Sequence, residues 1–260
     1  MSRPIALVTG ASGGIGAELA REAARDGHDL ILIARRVEAM QALANELKKI
    51  GAETQIVAAD LGKPGAADEV VSKIGAAAGI DTLINNAGLG TTGRFDQSDP
   101  ARISEMLQVN VVALTQLTRL FLPAMIARRS GRVMLVASTA AFQPGPQMAV
   151  YYATKAYVLS LSEALAWELR GTGVTVTALC PGPTATNFAN AAEMNRTVLF
   201  KSPLVKVMSS AEVARIGYRG LKRGKRVVIP GFPNKLSAMS ARVSPHGMIL
   251  PIASYLNSEH

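Results

Sequence analysis

Nine residues near the start of the chain, Val8-Thr9-Gly10-Ala11-Ser12-Gly13-Gly14-Ile15-Gly16, have the types and spacing to meet an anion. They follow the apolar run Ile5-Ala6-Leu7-Val8, which reads as a buried strand, and lead into a helix from Ile15 onward. Glycines 10, 14 and 16 fit a tight strand-to-helix turn where the backbone approaches something closely. A helix starting there aims free N–H groups and the positive end of its dipole at the turn, so the turn suits a pyrophosphate. Roughly 20 positions beyond such glycines, dinucleotide folds commonly place a carboxylate on the adenosine ribose 2′-hydroxyl. Here that place holds Ala34, followed by Arg35 and Arg36. Two guanidiniums and no carboxylate suit a 2′-phosphate, because arginine offers phosphate oxygens a planar fork of donors. NADP(H) is therefore expected over NAD(H).

Other polar residues stand where they need a partner or a task. Asp60 and Leu61 end a strand, at the ligand-binding edge of an open α/β sheet, although Asp60 equally suits a helix cap. Asn110 lies inside an apolar helical stretch between Val109 and Val111; a buried amide there costs free energy unless it is paired. Tyr151 and Lys155 are four apart and share a helix face, while Tyr152 and Lys155, three apart, are also within reach. The lone cysteine, Cys180, reads as inert core, and the three histidines, 28, 246 and 260, are too scattered for a metal site.

The elements that must position these residues alternate. Strands are expected at 5–8, 29–34, 54–59, 80–84, 132–137, 174–179 and 225–229. Helices are expected at 17–26, 37–50, 65–78, 100–129 and 150–170, with a further one capped by Ser210 and running to Leu221. The near-continuous apolar strands are those of a parallel sheet covered on both faces. The pattern weakens from Ala185 to Ser209, where Phe188, Met194, Val198, Leu199, Phe200, Leu204, Val205, Val207 and Met208 make an apolar connection suited to binding substrate. From Gly231 to His260 the chain, with Pro233, Pro245 and Pro251, reads as a tail whose Met248-Ile249-Leu250 needs cover.

With 48% apolar and 18% charged residues, the 260-residue chain has a globular balance. A strand from Ile5 leaves no room for a signal peptide, and no apolar run approaches the ~20 residues of a bilayer span, so a cytoplasmic location without a transmembrane segment is expected. The net charge of +9 is dispersed in pairs such as Arg128-Arg129 and Lys225-Arg226, with few aromatics and no nucleic-acid motif, which argues against nucleic acid.

Taken together, Thr9-Gly10 with Gly14 and Gly16, Asn85-Asn86-Ala87-Gly88, Asn110, Ser138, Tyr151-x-x-x-Lys155 and Pro181-Gly182 resemble the short-chain dehydrogenase/reductase family in its roughly 250-residue form. The likeness covers about residues 5–230, with Ser138 thirteen residues before Tyr151. It implies a single α/β domain of doubly wound, Rossmann-like fold with a largely parallel seven-stranded sheet. It also implies a homodimer or homotetramer built on the helices around 100–129 and 150–170.

The resemblance further implies roles. Tyr151, chosen over Tyr152 by its spacing to Lys155, becomes the acid/base. A free phenol titrates near ~10, and a neighbouring ammonium with an oxidised nicotinamide is expected to lower it. Lys155 also bonds the nicotinamide ribose, Ser138 polarises the substrate oxygen, and Asn110 binds a water linking Lys155 to a proton relay. Asn86, Ala87 and Gly88 line the adenosine-ribose side, Asp60 and Leu61 the adenine, and Pro181, Gly182 and Thr184 the nicotinamide. The expected function is hydride transfer between a nicotinamide and a small hydrophobic carbonyl or alcohol, such as a ketone or ketoacyl group. An epimerase or dehydratase on the same scaffold normally needs a larger substrate domain. A non-catalytic NADP-sensing or scaffold protein is the alternative that the complete set of site residues argues against.

Overall fold

The computed structural model describes residues 3–75, 79–188, 192, 196–201 and 207–258. Chain order gives β1 (Ile5–Thr9), α1 (Gly14–Arg25), β2 (Asp29–Ala34), α2 (Val37–Lys48), β3 (Thr54–Ala58), α3 (Ala66–Ile74) and β4 (Ile80–Asn85). There follow α4 (Pro100–Leu107), a π-helical segment Gln108–Ala113, α5 (Leu114–Ala127), β5 (Gly131–Val136), α6 (Ala149–Glu168) and β6 (Val174–Leu179). The last part holds β7 (Thr184–Ala185), α7 (Val198–Lys201), β8 (Met208–Ser209), α8 (Ser210–Lys222), β9 (Val227–Val228), α9 (Phe232–Val243) and α10 (His246–Asn257).

Seven strands form one sheet in the order β3-β2-β1-β4-β5-β6-β9, and every pairing is parallel. The period of two along each strand divides its side chains between two cores. Leu7, Ile31, Ile33, Leu83 and Val133 face α3, α5 and α6, whereas Ala6, Val8, Leu30, Leu32 and Met134 face α1, α2 and α8. Both faces are covered, which is why these strands read as unbroken apolar runs. The strand order reverses between β1 and β4, and the crevice at their carboxyl ends is where such sheets bind ligands.

Four expectations change. The stretch 231–260 is not a loose tail: α9 and α10 occupy most of it. Pro233 is tolerated in the first turn, where its missing N–H costs nothing, and Pro245 is the N-cap of α10. The cap of α8 is Ser209, not Ser210; its hydroxyl accepts from the Glu212 N–H at 3.2 Å. The long helix at 100–129 is interrupted by the π-helical turn around Asn110. That continuous stretch, Pro100–Ala127, is also long and apolar enough to cross a membrane by length and composition, with a mean hydropathy of 1.5 in its most apolar window, because the few Thr and Gln that interrupt its apolar runs are outweighed by Leu, Val, Ile and Phe. In the fold it packs through α5 on β4 and through α4 on α6. Ala76, Ala77 and Ala78 of the alanine-rich helix, and Met194, Leu204 and Val205 of the apolar connection, lie outside the described residues.

Candidate active site

The β1 and β4 ends are locked together by Thr9 and Asn86. The Thr9 hydroxyl oxygen accepts from the backbone N–H groups of Asn86 and Ala87, both at 2.9 Å. The Asn86 amide donates to the carbonyls of Thr9 at 3.0 Å and Gly10 at 3.3 Å. This close approach explains Gly10: a Cβ there would lie 2.9 Å from the Ala87 Cα, and its φ of +66° disfavours any side chain. Gly13 is the N-cap of α1 and no side chain caps that helix, so its first-turn N–H groups are left for an anion.

Above these strand ends lies a cavity of about 510 Å³, within the range of small-molecule and cofactor sites. Its walls include Gly10, Ser12, Gly14 and Ile15 of the turn; Arg35, Arg36, Asp60 and Leu61 beyond β2 and β3; and Asn86, Ala87 and Gly88 beyond β4. Ser138, Tyr151, Lys155, Pro181, Gly182 and Thr184 line it beyond β5 and β6.

Two expected residues are not in the wall. A Cβ on Gly16 would collide with the Asn86 amide and the Gly10 carbonyl, so this glycine lets α1 seat against the turn. The Asn110 side chain is bonded within the protein: its Oδ1 accepts from the Leu89 N–H at 2.8 Å, and its Nδ2 donates to the Leu89 carbonyl at 2.9 Å and to the Thr154 hydroxyl at 3.0 Å. The buried amide thus has partners, and it clamps the loop after β4 to α6.

The two arginines divide their work. The Arg36 guanidinium reaches back to the glycine turn, donating to the Ser12 carbonyl at 3.1 Å and hydroxyl at 3.2 Å. Arg35 is instead held by Glu105, with Nη1 3.0 Å from Oε1, while Arg102 takes the other carboxylate oxygen at 3.0 Å. Neither Glu105 nor Arg102 stood out in the sequence, because a contact across 70 residues leaves no local signal. Asp60 accepts from the Gly62 N–H at 3.1 Å, so it shapes its turn while lining the cavity.

At the other end, the Tyr151 phenol is buried on the cavity wall near Ser138, whose hydroxyl donates to the Pro181 carbonyl at 3.4 Å and accepts from the Ala140 N–H at 3.1 Å. Burial pushes the Tyr151 pKa up to about 12, with Ser138 opposing. The expected lowering by Lys155 is not what governs it. The Lys155 ammonium sits 5.8 Å from the centre of the Tyr151 ring and donates to the Val136 carbonyl at 2.9 Å, and burial pulls its own pKa down to about 8. The neighbouring Tyr152 spends its hydroxyl on Asn257 of α10 at 3.2 Å. Cys180 is buried behind the site, with its thiol pushed up to about 12 by burial. Phe188 faces Tyr151 with ring centres 5.8 Å apart, and a Cβ on Gly90 would lie 2.9 Å from its Cζ.

A doubly wound parallel sheet whose reversal point carries an uncapped glycine turn, with a tyrosine, serine and lysine beyond the next strands, defines a dinucleotide-type oxidoreductase. Residues 4–197 match the family model described as short chain dehydrogenase. An uncharacterized oxidoreductase of Myxococcus xanthus is 33% identical over 249 residues, covering 95% of this chain and 94% of that protein. Among solved structures, a short-chain dehydrogenase from Sphingobium yanoikuyae in complex with NADPH has a TM-score of 0.82 at 33% identity, covering 95% of both chains. A bulky-bulky ketone specific alcohol dehydrogenase from Comamonas testosteroni has a TM-score of 0.78 at 31% identity, covering 95% of this chain and 93% of that one. The protein belongs to the short-chain dehydrogenase/reductase family, and as such is an oxidoreductase acting on CH–OH or C=O groups with a nicotinamide cofactor.

Proposed function

We propose that the protein reduces an apolar ketone or aldehyde with NADPH, or runs the reverse oxidation, with Tyr151 as proton donor. The observation that carries this reading is that Ser138, Tyr151 and Lys155 line one cavity with the glycine turn, the Tyr151 phenol held in its neutral form by burial.

The residues present fit the cofactor. The uncapped α1 N-terminus and the side-chain-free turn at Gly10, Gly13 and Gly14 suit a pyrophosphate, and the Arg36–Ser12 pair suits a 2′-phosphate. Lys155 would hold the nicotinamide ribose, with Pro181, Gly182 and Thr184 beside the ring. When bound, NADP(H) supplies or accepts the hydride.

Everything else falls to the protein's own groups. Ser138 and Tyr151 both direct donors at a substrate oxygen, and Tyr151 gives its proton to the oxygen as negative charge develops there. The phenolate left behind is stabilised by the nearby Lys155 ammonium. A phenol raised by burial carries its proton at neutral pH, as a proton donor must. Leu89, Ala140, Phe188, Ala192 and Leu199 make the substrate end apolar, and the Comamonas neighbour acts on bulky ketones by its own description. Leu120, Tyr157 and Trp167, exposed on α5 and α6, support pairing of copies through those helices. A panel of ketones, aldehydes and ketoacyl thioesters, followed at the reduced nicotinamide absorbance with NADPH and NADH, tests the proposal. Turnover of apolar ketones with NADPH is expected, and NADH preference or no turnover across the panel contradicts it.

A further inference from the structure

We propose that Asn257 is a positioning residue: it holds the wall at the substrate end of the cavity and so sets how large a ketone is admitted beside Tyr151. The inference rests on the functional reading given above. Asn257 is 1% exposed and lies on the inward face of α10 with Ile249 and Ala253, each four residues from the next. A buried amide needs partners, and their chemistry fixes which way it faces. Its Nδ2 donates at 3.0 Å to the Pro146 carbonyl, a group that only accepts, so Oδ1 is left to accept from the Tyr152 hydroxyl at 3.2 Å. One side chain thus ties the last turn of α10 to the residue beside the proposed acid and to the loop that precedes α6.

The same part of α10 holds the rest of this wall. The Gln147 side chain donates to the Ser254 carbonyl at 3.4 Å, and its backbone sits at φ +65°, a left-handed conformation that disfavours any side chain. Such a conformation persists where contacts on several sides enforce it, and the Gly93 N–H, 2.8 Å from the Gln147 carbonyl, supplies another. The Val198 N–H donates at 3.0 Å to the carbonyl of Ser258, the C-cap of α10, and the adjoining Leu199 lines the cavity. Tyr152 lines it as well, edge-on to Tyr151 with ring centres 6.2 Å apart and planes at 77°. The loop backbone packs directly on the Tyr152 ring, since a Cβ on Gly145 would collide with it. Among the described residues of α10 only Ile249, Ala253 and Asn257 are buried, so the amide is a large part of what docks this helix. Without it, Tyr152 loses its tether and the loop loses one of its two ties to α10.

The test is the ratio of kcat/KM for benzophenone to that for acetophenone with NADPH, a ratio that does not depend on how much of a preparation is folded. Asn257→Ala should raise it at least ~fivefold in favour of the larger ketone, with NADPH affinity, set at the far end of the cavity, within a few-fold. Tyr152→Phe keeps the ring and removes only the hydroxyl; it should move the ratio the same way, and it carries the test if Asn257→Ala does not fold. The double variant should add little to either single one, as expected of the two ends of one hydrogen bond. Amide hydrogen exchange of the cofactor-free protein reads the wall without turnover: in Asn257→Ala, residues 143–148 and 196–201 should exchange at least ~tenfold faster, while β1 and the glycine turn keep their rates. An unchanged ratio with both kcat/KM values falling alike marks a purely structural role and overturns the proposal, as does unchanged exchange. If the unmutated protein reduces neither ketone, the functional reading above has failed, and exchange alone decides whether Asn257 holds the wall.

Discussion

Arg36 and Arg35 are adjacent in the sequence but differently engaged, which makes cofactor selectivity a quantitative test. Arg36 already turns its guanidinium to Ser12 at 3.1 and 3.2 Å, beside the glycine turn, and its present partners are neutral. Arg35 is shared with a carboxylate, Glu105, at 3.0 Å, so any phosphate must compete with that pair. A hydrogen bond to a charged group contributes about 1.5–3 kcal/mol, equivalent to about ten- to 150-fold in a dissociation constant. Arg36→Ala should therefore weaken NADPH by about that factor and leave NADH nearly unchanged, because NADH lacks the 2′-phosphate. Arg35→Ala should cost NADPH less, and Glu105→Gln, by freeing Arg35, should tighten it. Fluorescence titration of each variant with both cofactors measures these constants. A larger NADPH loss from Arg35→Ala than from Arg36→Ala, or equal losses on both cofactors, would refute the assignment of the 2′-phosphate to Arg36.

Other outcomes follow from the same geometry. Asn110→Ala leaves the part-buried Leu89 N–H without its partner and removes two further hydrogen bonds, which should destabilise the protein by about 1–3 kcal/mol in a denaturant titration. Gly16→Ala places a methyl against the Asn86 amide and the Gly10 carbonyl; a cost of about 1–3 kcal/mol, with weaker cofactor binding from a displaced turn, is expected by thermal unfolding and titration. Lys155 titrates near 8 and is charged below that value, so its stabilisation of the Tyr151 phenolate is present at lower pH and lost as pH rises. The pH profile of kcat/KM for carbonyl reduction should accordingly fall above about 8, and a profile that rises through this range would contradict the role given to Lys155.

Much of the architecture was legible because a parallel sheet covered on both faces writes itself as apolar runs between amphipathic helices. The strands from Ile5 to Leu179 stand within a residue or two of their expected bounds. The turn at Gly10 and Gly14 was legible because its positive φ values admit little but glycine. What the sequence concealed depends on contacts distant along the chain. Nothing near Arg35 announces Glu105, and nothing near Asn110 announces that Leu89 and Thr154 will be its partners. Pro233, Pro245 and Pro251 masked α9 and α10, since proline argues against a helix unless it falls in the first turn or packing tolerates it. The spacing of Tyr151 and Lys155 reveals a nearby lysine but not the burial that raises the phenol.

The central claim is that Tyr151 supplies the proton for carbonyl reduction. Its most direct test is Tyr151→Phe, which removes one hydroxyl from a buried ring and leaves the packing on Phe188 in place. The variant should bind NADPH within a few-fold of the unmutated protein, yet kcat for a ketone found in the panel should fall by about 10²- to 10⁴-fold, the usual contribution of a positioned acid. A variant that binds NADPH and retains most of its turnover would contradict the account.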